Sequence, residues 1–408
     1  RTVVPIDPTY KATPDEIWNY MEAYEKATGG QVLAIPHNSN LSNGLMFELT
    51  QPGGGPMTAA YAKRRARLEP VVEITQIKGD GETHPSLSPS DEFANFEKWD
   101  AANLAGVPKQ PGMLEHEYAR QALTEGLKLQ ASLGANPFKF GFVSGTDTHT
   151  GLATAEEDNF FGKHTGVEPS PHRWEHDVIK TPQVTIKGWQ MAAAGYTGVW
   201  ATENTREAIW DTLKRKEAYS TTGPRMLVRF FGGWDFVPSD AQTRMPADAG
   251  YAKGVPMGGD LKAAPQGKVP TFLVAALKDP ISGNLDRYQI VKGWLDDKGE
   301  ITGLHMRISG QSILAGIFPQ NVRDGRDPVV FQGLNNGGGE AMIGYSFPAL
   351  LIDHAMRNPP VPPGFWRGVN LNQNAIYVEC FIDEVAVATQ QDPLALRRKL
   401  MAQSPKHL

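Results

Sequence analysis

Asp147 and His149 stand two residues apart in the run Ser144-Gly145-Thr146-Asp147-Thr148-His149, directly after the apolar stretch from Lys139 to Val143. A carboxylate and an imidazole at that spacing are good ligands for a divalent metal. The stretch before them has strand character, and Ser144-Gly145 breaks it. The pair is therefore expected at the carboxyl end of a strand, where α/β folds build their sites. Two earlier loops repeat the arrangement. Gln31 to Ile35 is strand-like and runs into Pro36-His37-Asn38. Pro70 to Ile77 is another strand and runs into Gly79-Asp80-Gly81-Glu82-Thr83-His84. Three successive strand ends thus offer His37, then Glu82 and His84, then Asp147 and His149. Each loop by itself reads equally well as a polar turn, and the repetition favours a metal site.

The elements that must position these residues follow from caps and periodicity. Thr13-Pro14-Asp15-Glu16 starts a helix, with Ile17, Met21 and Tyr24 at helical spacing and Gly29-Gly30 as its end. Tyr61 to Leu68 is a basic helix with a solvated face, and Asp91 to Leu104 and Glu115 to Leu133 are two more helices. Asn204-Thr205-Arg206-Glu207 opens a further helix, and Met226 to Phe231 is a strand. Thr271 to Leu277 and Arg287 to Trp294 read as two strands joined by a turn at Asp279 to Asn284, a small antiparallel unit. His164, His172 and His176 have no ligand-like spacing and read as loop residues, while Lys163 or Arg173 could face an anionic substrate. Alternation of strands and helices gives the fold class α/β, with parallel strands and crossover helices.

The chain has 408 residues, enough for two or three domains, and 40% hydrophobic with 21% charged residues is an ordinary globular balance. A net charge of -5 with both signs interspersed gives no nucleic-acid surface. Cys380 is the one cysteine, which excludes an intrachain disulfide and a multi-cysteine zinc site. No apolar run is long enough to span a membrane. The compartment stays open between periplasm and cytoplasm. The chain opens at Arg1 with no signal peptide in view, so it is expected to be a processed or truncated product.

The runs Pro36 to Asn40, Glu73 to Pro85, Ser144 to His149, Glu203 to Glu207 and Gly223 to Arg225, in that order, resemble a bacterial family of unknown function related to the polymerase-and-histidinol-phosphatase (PHP) metallohydrolases. The resemblance covers about residues 1–298. It implies a distorted βα barrel that holds Zn, Mn or Fe and hydrolyses a small-molecule phosphoester. His37, Asp147 and His149 would be metal ligands by that resemblance, and Glu82 and His84 weaker candidates for moving a proton. The superfamily's opening His-x-His motif has no counterpart here, so the barrel is expected to be incomplete at its amino end. A partner chain or an oligomer would complete it, and a non-catalytic truncated or chimeric chain is the rival reading. Residues 304–408 resemble a piece of the molybdenum-binding subunit of isoquinoline oxidoreductase, through Gly364-Phe365-Trp366-Arg367, Gln373-Asn374-Ala375, Phe381 to Glu384 and Asp392-Pro393-Leu394. That implies a place near a molybdenum cofactor for Arg367, against the plainer reading of an ion pair at a helix start, which is favoured. Molybdopterin is not expected on this chain alone, and a fragment of such a subunit is the third reading. The expected layout is a partial PHP-like barrel over 1–235, a small β-rich unit over 236–300 and an α+β segment over 301–408.

Overall fold

The structure, a computed structural model, describes residues 13–88, 91, 93–149, 170–172, 174–191, 195–262, 264–285, 288–294, 304–310, 312–322, 327–332, 334, 343–347, 350–356, 358, 369–389, 391–402 and 404. Among them it is a mixed α/β protein with eight α-helices and several small sheets, and no sheet closes into a barrel. No helix among the described residues is long and apolar enough to cross a membrane. Contacts divide the chain into two units, Arg1–Leu87 with Asn95–Asn284, and Ser88–Ala94 with Leu285–Leu408.

The first unit begins with helix α1, Pro14–Thr28. The Glu16 carboxylate accepts from the Thr13 N–H at 2.8 Å, and Gly29, at φ 69°, donates back to the Glu25 carbonyl. Helix α2, Ala59–Leu68, is capped by the Thr58 hydroxyl. Its basic face is not simply solvated, as expected from composition. Tyr61, Ala62, Arg65 and Leu68 are buried, while Arg64 and Arg67 reach the Glu22 carboxylate of α1 at 2.8 and 2.6 Å. Apolar side chains of both helices join Phe47, Val72, Ile74, Ala119, Ala122 and Phe138 in the main core.

Strands β1 (Val71–Gln76), β2 (Gly79–Asp80) and β3 (Gly141–Ser144) form one sheet in the order β2-β1-β3. β1 and β3 are parallel, from Val71 opposite Gly141 to Thr75 opposite Ser144. Parallel neighbours need a crossover, and helix α3, Ala119–Leu133, lies between them in the chain and ends at Gly134 with φ 70°. β1 has Val71, Val72 and Ile74 all buried, as a strand covered on both faces must be.

Small antiparallel pairs follow: β4 (Asp177–Lys180) with β5 (Thr185–Lys187), and β6 (Tyr196–Val199) with β7 (Ala218–Thr221). Helix α4, Arg206–Arg215, is capped by Thr205, one residue later than the Asn204 cap expected, because the Thr205 hydroxyl takes the Ala208 N–H. Strand β8 (Leu227–Gly233), helix α5 (Pro246–Lys253), β9 (Gly254–Pro256) and β10 (Thr271–Leu277) complete the unit, with β8 central between β10 and β9.

Three expected elements do not form. Residues 31–35 join no ladder: Ala34 donates to the Leu68 carbonyl and the Pro36 carbonyl accepts from the Glu73 N–H, while Pro36 has no N–H to extend the pairing. The described residues between 91 and 104 form turns and irregular loop, not a helix. The Asp91 carboxylate takes the Phe93 N–H and the Asn103 side-chain oxygen Oδ1 takes the N–H groups of Ala105 and Val107, so side chains compete with the helix for backbone donors. Residues 288–294 are not a strand. β10 pairs with β8 over its whole length instead of with the segment that follows it.

In the second unit β11 (Leu304–Gly310) and β12 (Leu350–Met356) run parallel. Helices α6 (Ile313–Ile317), α7 (Leu371–Ala388) and α8 (Pro393–Leu400) accompany them. Val378, Ile382 and Ala386 of α7 pack with Leu396 and Leu400 of α8 in a separate core. Arg367 and its loop lie outside the described residues, as do Lys163, His164 and Arg173.

Gly79 opens β2 at φ 100°, and a Cβ there would meet the Glu97 carbonyl oxygen at 2.7 Å. Gly79→Ala is therefore expected to lower the thermal unfolding midpoint, by roughly 1–3 kcal/mol of stability. A midpoint equal to the parent's in a calorimetric melt would show that the turn relaxes without cost.

Candidate functional site

β1 and β3 deliver two loops to one place. Because they are parallel neighbours, the turn after β1 and the loop after β3 leave the sheet side by side. The Ile77 N–H donates to the Thr146 carbonyl at 3.3 Å and the Gly145 N–H to the Thr75 carbonyl at 3.4 Å. Gln76 pairs with Gly79, so Ile77 and Lys78 alone make the turn between β1 and β2. Ile77 buries its side chain among Leu41, Trp99, Ile186 and Met191. Lys78 turns the other way, and its ammonium meets Oδ2 of Asp147.

Asp147 has φ 50°, a left-handed backbone unusual for a residue with a side chain. Two imidazoles face its other oxygen. His149 Nε2 is 3.4 Å from Oδ1, and His37 Nε2 is 3.9 Å from the same atom. His37 reaches this position because its segment lies along β1. Its Nδ1 is 2.8 Å from Oε1 of Glu73, and the Asn38 N–H shares that oxygen at 3.4 Å. A carboxylate only accepts, so Nδ1 donates to Glu73, while Nε2 faces Asp147. Asn38, itself at φ 60°, accepts from the Gln76 side-chain amide.

The structure thus brings together His37, Asp147 and His149, three residues expected to meet. It adds Glu73 and Lys78, which sequence reasoning missed. Glu73 had a signal, as the charged residue inside an apolar strand. Lys78 had none, since a lysine before a glycine reads as a solvated turn.

Glu82 and His84 are engaged elsewhere. Arg120, in the first turn of α3, donates from Nε and Nη2 to Oε1 of Glu82 at 3.0 and 2.8 Å. His84 is buried. Its Nδ1 accepts from the Ser86 N–H at 3.1 Å and lies 2.7 Å from the Ser86 hydroxyl, and its Nε2 is 3.0 Å from Asp100 Oδ2. Beside them Asp80 accepts from the N–H groups of Glu82 and Thr83. Burial pushes the Asp80 carboxyl up to about 7; the neighbouring Glu82 charge acts in the same sense, and the two N–H groups and Arg120 oppose it. His172 pairs with Glu175 at the surface, 2.6 Å away, as a loop histidine would.

The donors at Asp147, two imidazole nitrogens and one carboxylate, fit Zn, Mn or Fe in kind. The Glu73–His37 hydrogen bond is the outer support that such a histidine ligand commonly has. In position, among the described residues, no group of three or more His, Cys, Asp and Glu side chains is arranged as it stands to hold a metal ion. The positive charge at Asp147 is Lys78.

A raised carboxyl favours the folded state while it holds its proton, so the Asp80 contribution is lost as pH rises from about 4 towards 7. Asp80→Asn should therefore gain stability relative to the parent between pH 5 and 8 in paired thermal melts. A difference that stays flat across that range would remove the buried carboxyl from the account.

Comparison with curated proteins found no match, and comparison with solved structures found none. One family model matches, over residues 1–308, which takes in the whole of the candidate site and three quarters of the chain. The chain belongs to the family described as "Protein of unknown function (DUF3604)".

Proposed function

We propose that this chain is a metal-dependent hydrolase of PHP type acting on small-molecule phosphoesters, with His37, Asp147 and His149 as the metal ligands. The observation that carries the reading is the meeting of two imidazole nitrogens on one carboxylate at the carboxyl ends of a parallel strand pair. Its fold counterpart, a PHP-like βα barrel, is supported by the β1–α3–β3 crossover. A divalent metal at this position would supply a Lewis acid for a phosphoryl oxygen and a nucleophilic water near neutral pH.

The chain's own groups have separate tasks. Glu73 holds the His37 ring and its tautomer, so that Nε2 is presented without reorganisation. Asp147 supplies anionic charge, and its strained backbone aims that charge at both rings. Lys78 supplies a cationic point beside Asp147, suited to a phosphate ester. Glu82 and His84, held by Arg120 and by Ser86 and Asp100, receive no step in this reaction. The second unit is given no chemistry, because Arg367, through which a molybdenum-subunit role would act, lies outside the described residues.

The test is elemental analysis of the purified chain beside an Asp147→Ala/His149→Ala variant, followed by p-nitrophenyl phosphate ester hydrolysis with Mn or Zn added. Stoichiometric metal and hydrolysis in the parent, both lost in the variant, are expected. Metal at background in both proteins would end the hydrolase reading.

A further inference from the structure

A lysine in a two-residue turn is normally solvated. Lys78 has a side chain only 4% exposed. Its backbone is held at both ends: the Lys78 N–H donates to Gln76 Oε1 at 2.7 Å, and its carbonyl accepts from Asn40 Nδ2 at 3.0 Å. Gly79, with no space for a Cβ, fixes the direction in which the turn leaves. The turn is thus built to send an ammonium group inward, onto Oδ2 of Asp147. Burying an ammonium is costly unless a carboxylate meets it. The carboxylate that meets it is the one that both His37 and His149 face through Oδ1.

One carboxylate cannot serve two cations equally. A divalent metal held by Asp147 would share that carboxylate with the Lys78 ammonium, and like charges at such close range repel. We infer that Lys78 is an internal counter-ion that holds the place of a divalent metal at Asp147 and competes with it. When a metal binds, the ammonium gives up Asp147 and becomes the positive point charge offered to an anionic substrate. This rests on the metal reading proposed above. It adds that affinity for the metal is set by a residue that is not a ligand.

The experiment is calorimetric titration of ZnCl2 and MnCl2 into the full chain, the Lys78→Met and Lys78→Gln variants, and Asp147→Asn/His149→Ala. The Lys78 variants are expected to bind metal about tenfold tighter or better than the parent, since the competing cation is gone, and to show a larger rise in melting temperature on adding metal. Parent binding with a Kd that the Lys78 variants leave within twofold, or weaken, overturns the competition while leaving the hydrolase reading intact. No binding by any of the proteins overturns both. If neither Lys78 variant folds by circular dichroism, amine acylation of the parent decides: labelling of Lys78 should rise severalfold with metal, with Lys109, buried against Glu117, as the unchanged control. Equal Lys78 labelling with and without metal sinks the proposal.

Discussion

The pairing of a buried lysine with Asp147 is the constraint on which the candidate site depends. Neither charge is tolerable in a protein interior without the other. Their meeting requires the turn after β1 and the loop after β3 to lie together, which the parallel register of the two strands ensures. It also requires two costly backbone features, a left-handed aspartate and a glycine turn closed against Glu97. Strain of this kind persists where the surrounding structure over-determines it. Here the surroundings are the buried β1 strand, the Ile77 cluster and the Gln76–Asn38 amide pair.

Around this pair the polar groups are arranged in two separate sets. Glu73, His37, Asp147, His149 and Lys78 make a partly open set, with both imidazoles about half exposed. Asp80, Glu82, Arg120, His84, Ser86 and Asp100 make a second set at the end of β2 and the loop after it, in which each side chain is held by its neighbours. The first has the convergence that binding or catalysis needs. The second has the closed hydrogen bonding of a structural network, and its Asp80 carries the cost of burial as a raised carboxyl.

Membership of a family matched over residues 1–308 covers the first of the two compact units and the start of the second. The family's description states no activity, so the functional argument stands on the site's geometry. That geometry favours cation and anion chemistry over an apolar ligand: a carboxylate, two imidazoles and an ammonium are side chains that hold metals and phosphates.

The sequence by itself determined the local elements and three of the site's residues. The Thr13–Glu16 pair and Gly29 set the ends of α1, and Gly134 sets the end of α3, because a helix end is satisfied by groups a few residues away. Apolar runs set β1, β3 and β8 for the same local reason. His37, Asp147 and His149 were legible because their types and their places after apolar runs are visible in the string. Tertiary structure decided what distance in sequence conceals. The segment at 31–35 forms no ladder with β1, which meets that stretch of chain through the Glu73 N–H on the Pro36 carbonyl, and β10 chose β8, some forty residues earlier, over the nearer 288–294. Glu73 and Lys78 became site residues only when β1, its turn and the β3 loop met. Burial is a property of the assembled chain, and it alone turns a lysine in a surface-like turn into the counter-ion of Asp147.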